Sequence, residues 1–272
     1  MAHAFGIVAT VAAIVFCLLL PFLPGGYDPL AVPLSAMAQT FGIVGLALIP
    51  IGITWCASRY WSWQARKQQL FAISALVAVS LVLLILALVA LVHSGYTLGI
   101  AVIILSAMAG WTLSRRLRAL AAATAVPLYL VVVPLTVAIV QFVIDEPITE
   151  FSRSRAIRNS AELIADIERY RDANGHYPTS LVSLWNDYRP SVIGIKDFRY
   201  ERQGEAYNVL FEPFTFIFGT REIVMYNPRD EHVMTSHDSD LLRRPTEQLE
   251  FRGGYYAVHD APHPHWKYFW FD

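Results

Sequence analysis

This sequence is most informative at first in what it has little of. Among its 272 residues only two are cysteine, Cys17 and Cys56, and both lie inside apolar runs. Nothing in the fold therefore depends on an oxidising compartment, and both read as small buried hydrophobes. Acidic residues are nearly missing from the first half: residues 1 to 144 hold six Lys/Arg but a single acid, Asp28. No Asp, Glu, Lys or Arg interrupts the long apolar runs of that half, whose only strongly polar interior side chains are Gln39 and Gln141. Ion pathways and proton relays need ionisable groups inside the membrane, so a coupled transporter or an intramembrane protease is disfavoured. There is no G-x-S-x-G, no glycine loop to cradle phosphate and no Ser/His/Asp grouping, which leaves catalysis without a signature. The remaining fifteen Lys/Arg and twenty-one Asp/Glu fall in residues 145 to 272, so the net charge of -1 hides a split of +5 and -6. An acidic second half with no basic face speaks against nucleic acid as a partner.

What is present is apolar. The mean hydropathy of +0.42 is too high for one water-soluble domain of this length unless the apolar residues are gathered into spans. The runs at 5–23, 34–56, 70–92, 96–113 and 119–144 each approach or exceed the ~20 residues that cross a hydrocarbon core. The first reads as a retained span rather than a signal peptide, because no basic residue precedes it and Ala36-Met37-Ala38, the small-x-small candidate for cleavage, lies within the next run. Pro127 and Pro134 predict a kink in the fifth. Gly42, Gly45, Gly52 and Ser35 have the small-residue spacing that lets helices approach closely. On this topology Cys17 and Cys56 lie toward opposite faces, beyond the ~4.4–6.8 Å that a disulfide tolerates.

Orientation is read from the short loops. Those at 57–69 and 114–118 carry three Lys/Arg each, and those at 24–33 and 93–96 carry none, which predicts the first pair inside. Five spans then leave the amino terminus inside and the carboxy-terminal half outside. Arg153, Arg155 and Arg158 run against this rule, since they follow the fifth span closely on the outer face.

Residues 145–151, with Pro147, read as a linker, and 152–272 as an α+β domain with one long helix laid on an antiparallel sheet. Ser152 to Asn174 is amphipathic, with Ile157, Ala161, Leu163, Ile164, Ile167 and Tyr170 on one side, and Arg158/Glu162 and Asp166/Arg169 at helical spacing on the other. Gly175 is placed to stop the helix in a left-handed conformation. Strands are expected at 197–202, 206–218, 222–226, 254–258 and 266–271, the first two joined as a hairpin through Gln203-Gly204-Glu205.

The run Ile164 to Leu184, which ends its helix in Asn174-Gly175-His176-Tyr177-Pro178 and continues Thr179-Ser180-Leu181, resembles the helix end and Gly-x-Tyr-Pro-x-Ser-Leu turn of type II secretion pseudopilins and related type IV pilin-like proteins. Phe198 to Phe211 is similar to their first sheet hairpin. The resemblance covers roughly 60 residues and implies a pilin-like fold in a bacterial envelope: an inner-membrane protein with a cytoplasmic amino terminus and a periplasmic domain. Four spans precede the corresponding helix, so a tethered domain is implied and not assembly into a pilus.

No cofactor is required by these features, and two clusters are candidates for metal. His259, Asp260, His263 and His265 could offer imidazole nitrogen to zinc or copper, although their two prolines favour a solvated turn. Asp230, Glu231, Asp238 and Asp240, with His232 and His237 among them, lie where the resemblance implies a calcium site, although their spacing matches no loop motif. The expected function is non-enzymatic: partner binding or sensing by a domain held at the bilayer. The alternatives are a metal-binding or enzymatic envelope protein that uses residues 259 to 265, and a transport or secretion accessory component. Oligomeric state is not encoded in any pattern found.

Overall fold

The computed structural model describes residues 2–60, 65–93, 95–116, 125–203, 205–216, 221–232 and 256–271. The chain divides into two compact units, one formed by Met1–Leu20 and Pro29–Asp145, the other by Pro21–Asp28 and Glu146–Asp272.

In the first unit the helices are α1 (Ala2–Leu19), α2 (Ala31–Val44), α3 (Ile49–Tyr60), α4 (Ala65–Val92), α5 (Tyr96–Arg115) and the beginning of α6 (Val126–Asn159). Among the described residues five helical stretches are long and apolar enough to cross a membrane: His3–Phe22, Ala31–Ser58, Lys67–Val92, Tyr96–Arg115 and the apolar first part of Val126–Asn174. They match the expected runs to within a few residues, except that 119–124 lie outside the described residues. The second stretch contains a 3₁₀ turn, Gly45–Leu48. Pro50, one turn later, has no N–H to return to the carbonyl at 46, and the backbone tightens where that bond is missing.

Glycines set how closely the helices pack. A methyl group added at Gly52 would lie 2.9 Å from the Pro127 carbonyl, one added at Gly45 3.1 Å from Pro134, and one added at Gly42 2.2 Å from the Gln141 amide oxygen. The second apolar stretch is thus seated on α6 through its glycines, and Ser35 donates to the Leu18 carbonyl of α1 at 2.6 Å. Trp55, near the end of the second apolar stretch, is fully buried and donates through Nε1 to Gln68 at 2.9 Å. The inner face of α4 buries Ala72, Ala75, Ala87 and Ala90 together with Val82 and Leu86, while Leu70, Ile73, Val77, Leu81, Leu84 and Leu88 form an exposed row of large side chains.

The second unit holds the end of α6, the helix α7 (Ala161–Asn174), a 3₁₀ turn at Leu181–Leu184 and the strands β1 (Arg199–Gln203), β2 (Ala206–Phe211), β3 (Arg221–Tyr226), β4 (Tyr256–Asp260) and β5 (Trp266–Phe271). These strands form one antiparallel sheet in the order β1-β2-β3-β5-β4. Side chains alternate as the two-residue period requires. Tyr207, Val209, Phe211, Val224, Trp266 and Tyr268 pack with Ala156, Ile157, Leu163 and Ile167 of the helices, and Leu210, Ile223, Met225 and Phe269 form a separate cluster.

Two expectations about the helix are corrected. Residues 145–151, expected as a linker, are helical, because α6 continues through Pro147 to Asn159, and the division between the two units falls there at Asp145 and Glu146. The proline's lost hydrogen bond is outweighed by burial just beyond it, where Thr149, Ser152, Arg153 and Ala156 form a buried i, i+3, i+4, i+7 stripe. The interruption falls at Ser160, whose N–H is shared between the Ala156 and Ile157 carbonyls at 3.1 Å each, while its Oγ donates to the Ile157 carbonyl at 2.7 Å. Serine back-bonding of this kind bends helices. Ala161, expected on the buried side, is exposed as a result of the new helix start. Gly175 ends α7 as expected, at φ 76°, with its N–H 2.7 Å from the Arg171 carbonyl.

The strap Pro21–Asp28 is part of this second unit. Pro24 bridges Val192, Gly25 N–H donates to Ser191 O and Asp28 N–H to Ile193 O at 3.1 Å each, and Ile193 N–H returns to Leu23 O at 3.0 Å. Phe22 stacks on Phe216 at 4.8 Å between ring centres.

Candidate functional site

The densest set of polar side chains is built from α6 and the sheet. Glu150, Arg153 and Ser154 lie on one face of α6 at i, i+3 and i+4, Glu222 opens β3, Tyr268 is on β5, and His263 is in the β4–β5 turn. Glu222 is only 2% exposed. Arg153 donates from Nε to Glu222 Oε1 at 2.6 Å and from Nη2 to Oε2, a bidentate fork. The guanidinium also lies 4.6 Å over the Tyr268 ring and 3.5 Å from Glu150. Tyr268 donates its hydroxyl to Glu150 at 3.1 Å, Ser154 donates to Glu150 at 2.8 Å, and His263 Nε2 meets Ser154 Oγ at 3.0 Å.

Electrostatics follow from this geometry. Burial alone would lower the Arg153 pKa, but the hydrogen bond and charge of Glu222 outweigh it and the net shift is upward. Burial, and after it the Glu150 carboxylate, pushes the Tyr268 phenol up. Tyr268 therefore stays neutral and donates. The order of contacts is Glu150–Ser154–His263, with the acid on the serine, whereas a hydrolase triad has it on the far nitrogen of the histidine. The arrangement fixes α6 against β3 and β5.

The two proposed ligand clusters are spread over separate contacts. His259 packs 4.5 Å from the Trp270 ring, Asp260 pairs with Lys267 at 3.1 Å across β4–β5, His263 goes to Ser154, and His265 Nδ1 meets Asp230 at 3.0 Å. The Glu231 backbone N–H donates to Asn227 Oδ1 at 3.1 Å, part of the turn after β3. Asp238, Asp240 and His237 lie outside the described residues. Among the described residues, no three or more His, Cys, Asp and Glu side chains are gathered in a way that could hold a metal ion.

A cleft of about 370 Å³ is lined by Arg171, His176, Tyr177, Arg202, Glu205 and Arg229. Arg171 is already matched to Glu168 and Asp172 at 2.8 Å each, and the carbonyl end of α7 at Gly175 adds negative potential there, so nothing singles out an anion as its occupant.

His232 is buried, and its Nε2 lies 3.1 Å from the His265 carbonyl, which accepts the ring proton, while Nδ1 has no hydrogen-bond partner among the described residues. Burial lowers its pKa, against smaller opposing effects from the Asp230 and His265 backbone. The unfolded chain, with an ordinary value of about 6.5, thus binds the proton more readily than the folded one. Stability is complete above about pH 6.5 and declines as pH falls below it toward the lowered folded value. Thermal melts of the full chain between about pH 7 and pH 5 are expected to fall less steeply for His232→Gln, which retains a donor and cannot titrate.

The Arg153–Glu222 pair was not foreseen as a pair. Its signal was Glu222 itself, an acid at the head of the otherwise apolar strand Ile223-Val224-Met225, which must find a cation if it is buried. Arg155 is similarly engaged, donating from Nε to the Ser191 carbonyl at 3.2 Å.

No family model, no curated protein and no solved structure matches this chain.

Proposed function

We propose that the chain is a multi-pass integral protein of a bacterial inner membrane, with its amino terminus in the cytoplasm, whose pilin-like α+β domain faces the periplasm and binds a protein partner or senses a ligand there without being an enzyme. The observation that supports the five-span count is the strap, and the side assigned to it rests on the basic loops at 57–69 and 114–118. Pro21–Asp28 leaves the first apolar helix and is hydrogen-bonded to Ser191–Gly194 of the domain, so strap and domain share one side of the bilayer. Four crossings separate them in the five-span reading, an even number, which agrees; removing one span would put them on opposite sides. The row of exposed large hydrophobics on α4, backed by a buried apolar face, fits a helix solvated by lipid and not by water. Arg153 and Arg155, which ran against the charge rule, are taken up in the domain's own contacts, so their position after the fifth span is explained without a cytoplasmic domain.

Reporters active only in the periplasm or only in the cytoplasm, fused after Asp272, test the orientation. A periplasmic signal is expected, and a cytoplasmic one overturns the envelope-facing function.

A further inference from the structure

Among the described residues of the second unit the exposed large hydrophobics are Tyr27, Phe151, Val182 and Trp185, and the last two stand apart at 79% and 94% exposure. Val182 lies within the 3₁₀ turn Leu181–Leu184 and Trp185 is the residue that caps it, three positions on, so the two exposed side chains form one apolar knuckle at the end of the turn. The knuckle is firmly mounted: Leu181, Leu184 and Tyr188 pack on the core beneath it, and Trp185 N–H returns to the Val182 carbonyl at 3.3 Å. Trp185 itself sits at φ 56°, ψ 20°, a left-handed conformation that a glycine takes freely and an aromatic residue takes at a cost. The fold thus bears backbone strain to hold an indole in water, and strain of this kind collects at binding positions.

We infer that this knuckle is the anchor by which the domain docks on a protein partner, one that offers an apolar pocket bordered by basic groups. An isolated, rigid, fully exposed tryptophan has the form of an interface hot spot, and two side chains are too little surface for a flat self-association, which needs about 800 Å² per partner. The rim is polar: Asn186 and the ion pair Asp187–Arg189 at 2.9 Å lie just beyond it. Beside Tyr188 of the same patch Asp166 is paired with Arg169, Glu162 has no ion pair among the described residues, and residues 145 to 272 carry -6 overall. That surplus is complementary to a basic partner and repels an anionic lipid surface, so a protein is favoured over the bilayer.

The inference rests on the partner-binding reading above, and its test is a photo-crosslinking benzophenone side chain placed at 182 or 185 of the full chain in bacterial cells, with the exposed positions Asp172 and Lys196 as controls. The expected result is an adduct with one protein from 182 and 185 and not from the controls. That protein, once purified, should bind the full chain about 30-fold or more weakly after Trp185→Ser. Trp185→Gly should lose binding in the same way while raising the melting temperature, because glycine relieves the left-handed backbone, whereas a merely structural tryptophan would lower it. Adducts with phospholipid or with a second copy, no adducts above the controls, or a partner indifferent to Trp185→Ser each overturn the inference. A cytoplasmic reporter signal would overturn the periplasmic assignment and leave a crosslinking result standing, so the two failures are separable.

Discussion

Glu222→Ala is expected to destabilise the second unit by about 3–5 kcal/mol, since it leaves the Arg153 guanidinium buried without its carboxylate. Glu222 and Arg153 are both buried, and their fork joins β3 to α6, the helix that continues out of the apolar stretch. The loss should appear as a large drop in the melting temperature of the full chain in detergent. Arg153→Ala alone should cost about as much, because it strands the buried acid instead. The double replacement Arg153→Met with Glu222→Leu is the informative partner. Two apolar side chains of similar volume remove both charges, and stability should return to within about 1–2 kcal/mol of the original. A double variant as unstable as either single one would mean that the cluster around Glu150 and Tyr268 depends on the ion pair for its geometry and not only for its charge balance.

Gly194→Val is expected to release the strap from the domain. A side chain there would put its Cβ 2.6 Å from Pro21 Cβ and 2.7 Å from the Pro21 carbonyl, which already accepts the Gly194 N–H at 2.7 Å. Backbone on one side and a proline ring on the other leave little room to yield, so the clash should cost about 1–3 kcal/mol and break the bonds from 21–25 to 191–194. The direct readout is a cysteine pair at Pro24 and Val192, the two bridged positions, in a chain whose Cys17 and Cys56 are replaced by Ala. Disulfide formation should be rapid in the parent and strongly reduced after Gly194→Val. Equal cross-linking in both would show that residue 194 does not hold the strap.

The sequence was legible wherever one periodicity dominates. The apolar runs were found because a helix long and apolar enough to cross a membrane needs an uncharged stretch of a set length, and the glycines at 42, 45 and 52 were recognised as contact points because only they allow helix backbones to approach. The five strands appear near their expected places, since alternation and turn residues are local signals, and Gly175 stops its helix for the conformational reason expected. The helical state of residues 145–151 was missed because Pro147 is a strong local signal against helix, and the burial that overrides it at 149, 152, 153 and 156 comes from a sheet more than forty residues away in sequence. Of the two candidate ligand clusters, only the one at 259 to 265 lies wholly within the described residues. His259 and Asp260 are successive residues of β4 and so point to opposite faces, while His263 and His265 lie in the turn and meet Ser154 and Asp230, so closeness in sequence did not become a shared set of contacts.

By itself the sequence determined the apolar helices, the acidic α+β half and the order of its elements, because each rests on hydrophobic periodicity and on backbone preferences within a few residues. Only the tertiary structure decided that Arg153 meets Glu222, that Pro21–Asp28 belongs to the same unit as a sheet lying more than 160 residues further on, and that Trp185 stands exposed on a left-handed backbone. Those are contacts between distant segments, or the lack of them, and they are fixed by how the elements pack, which no local pattern of residues records.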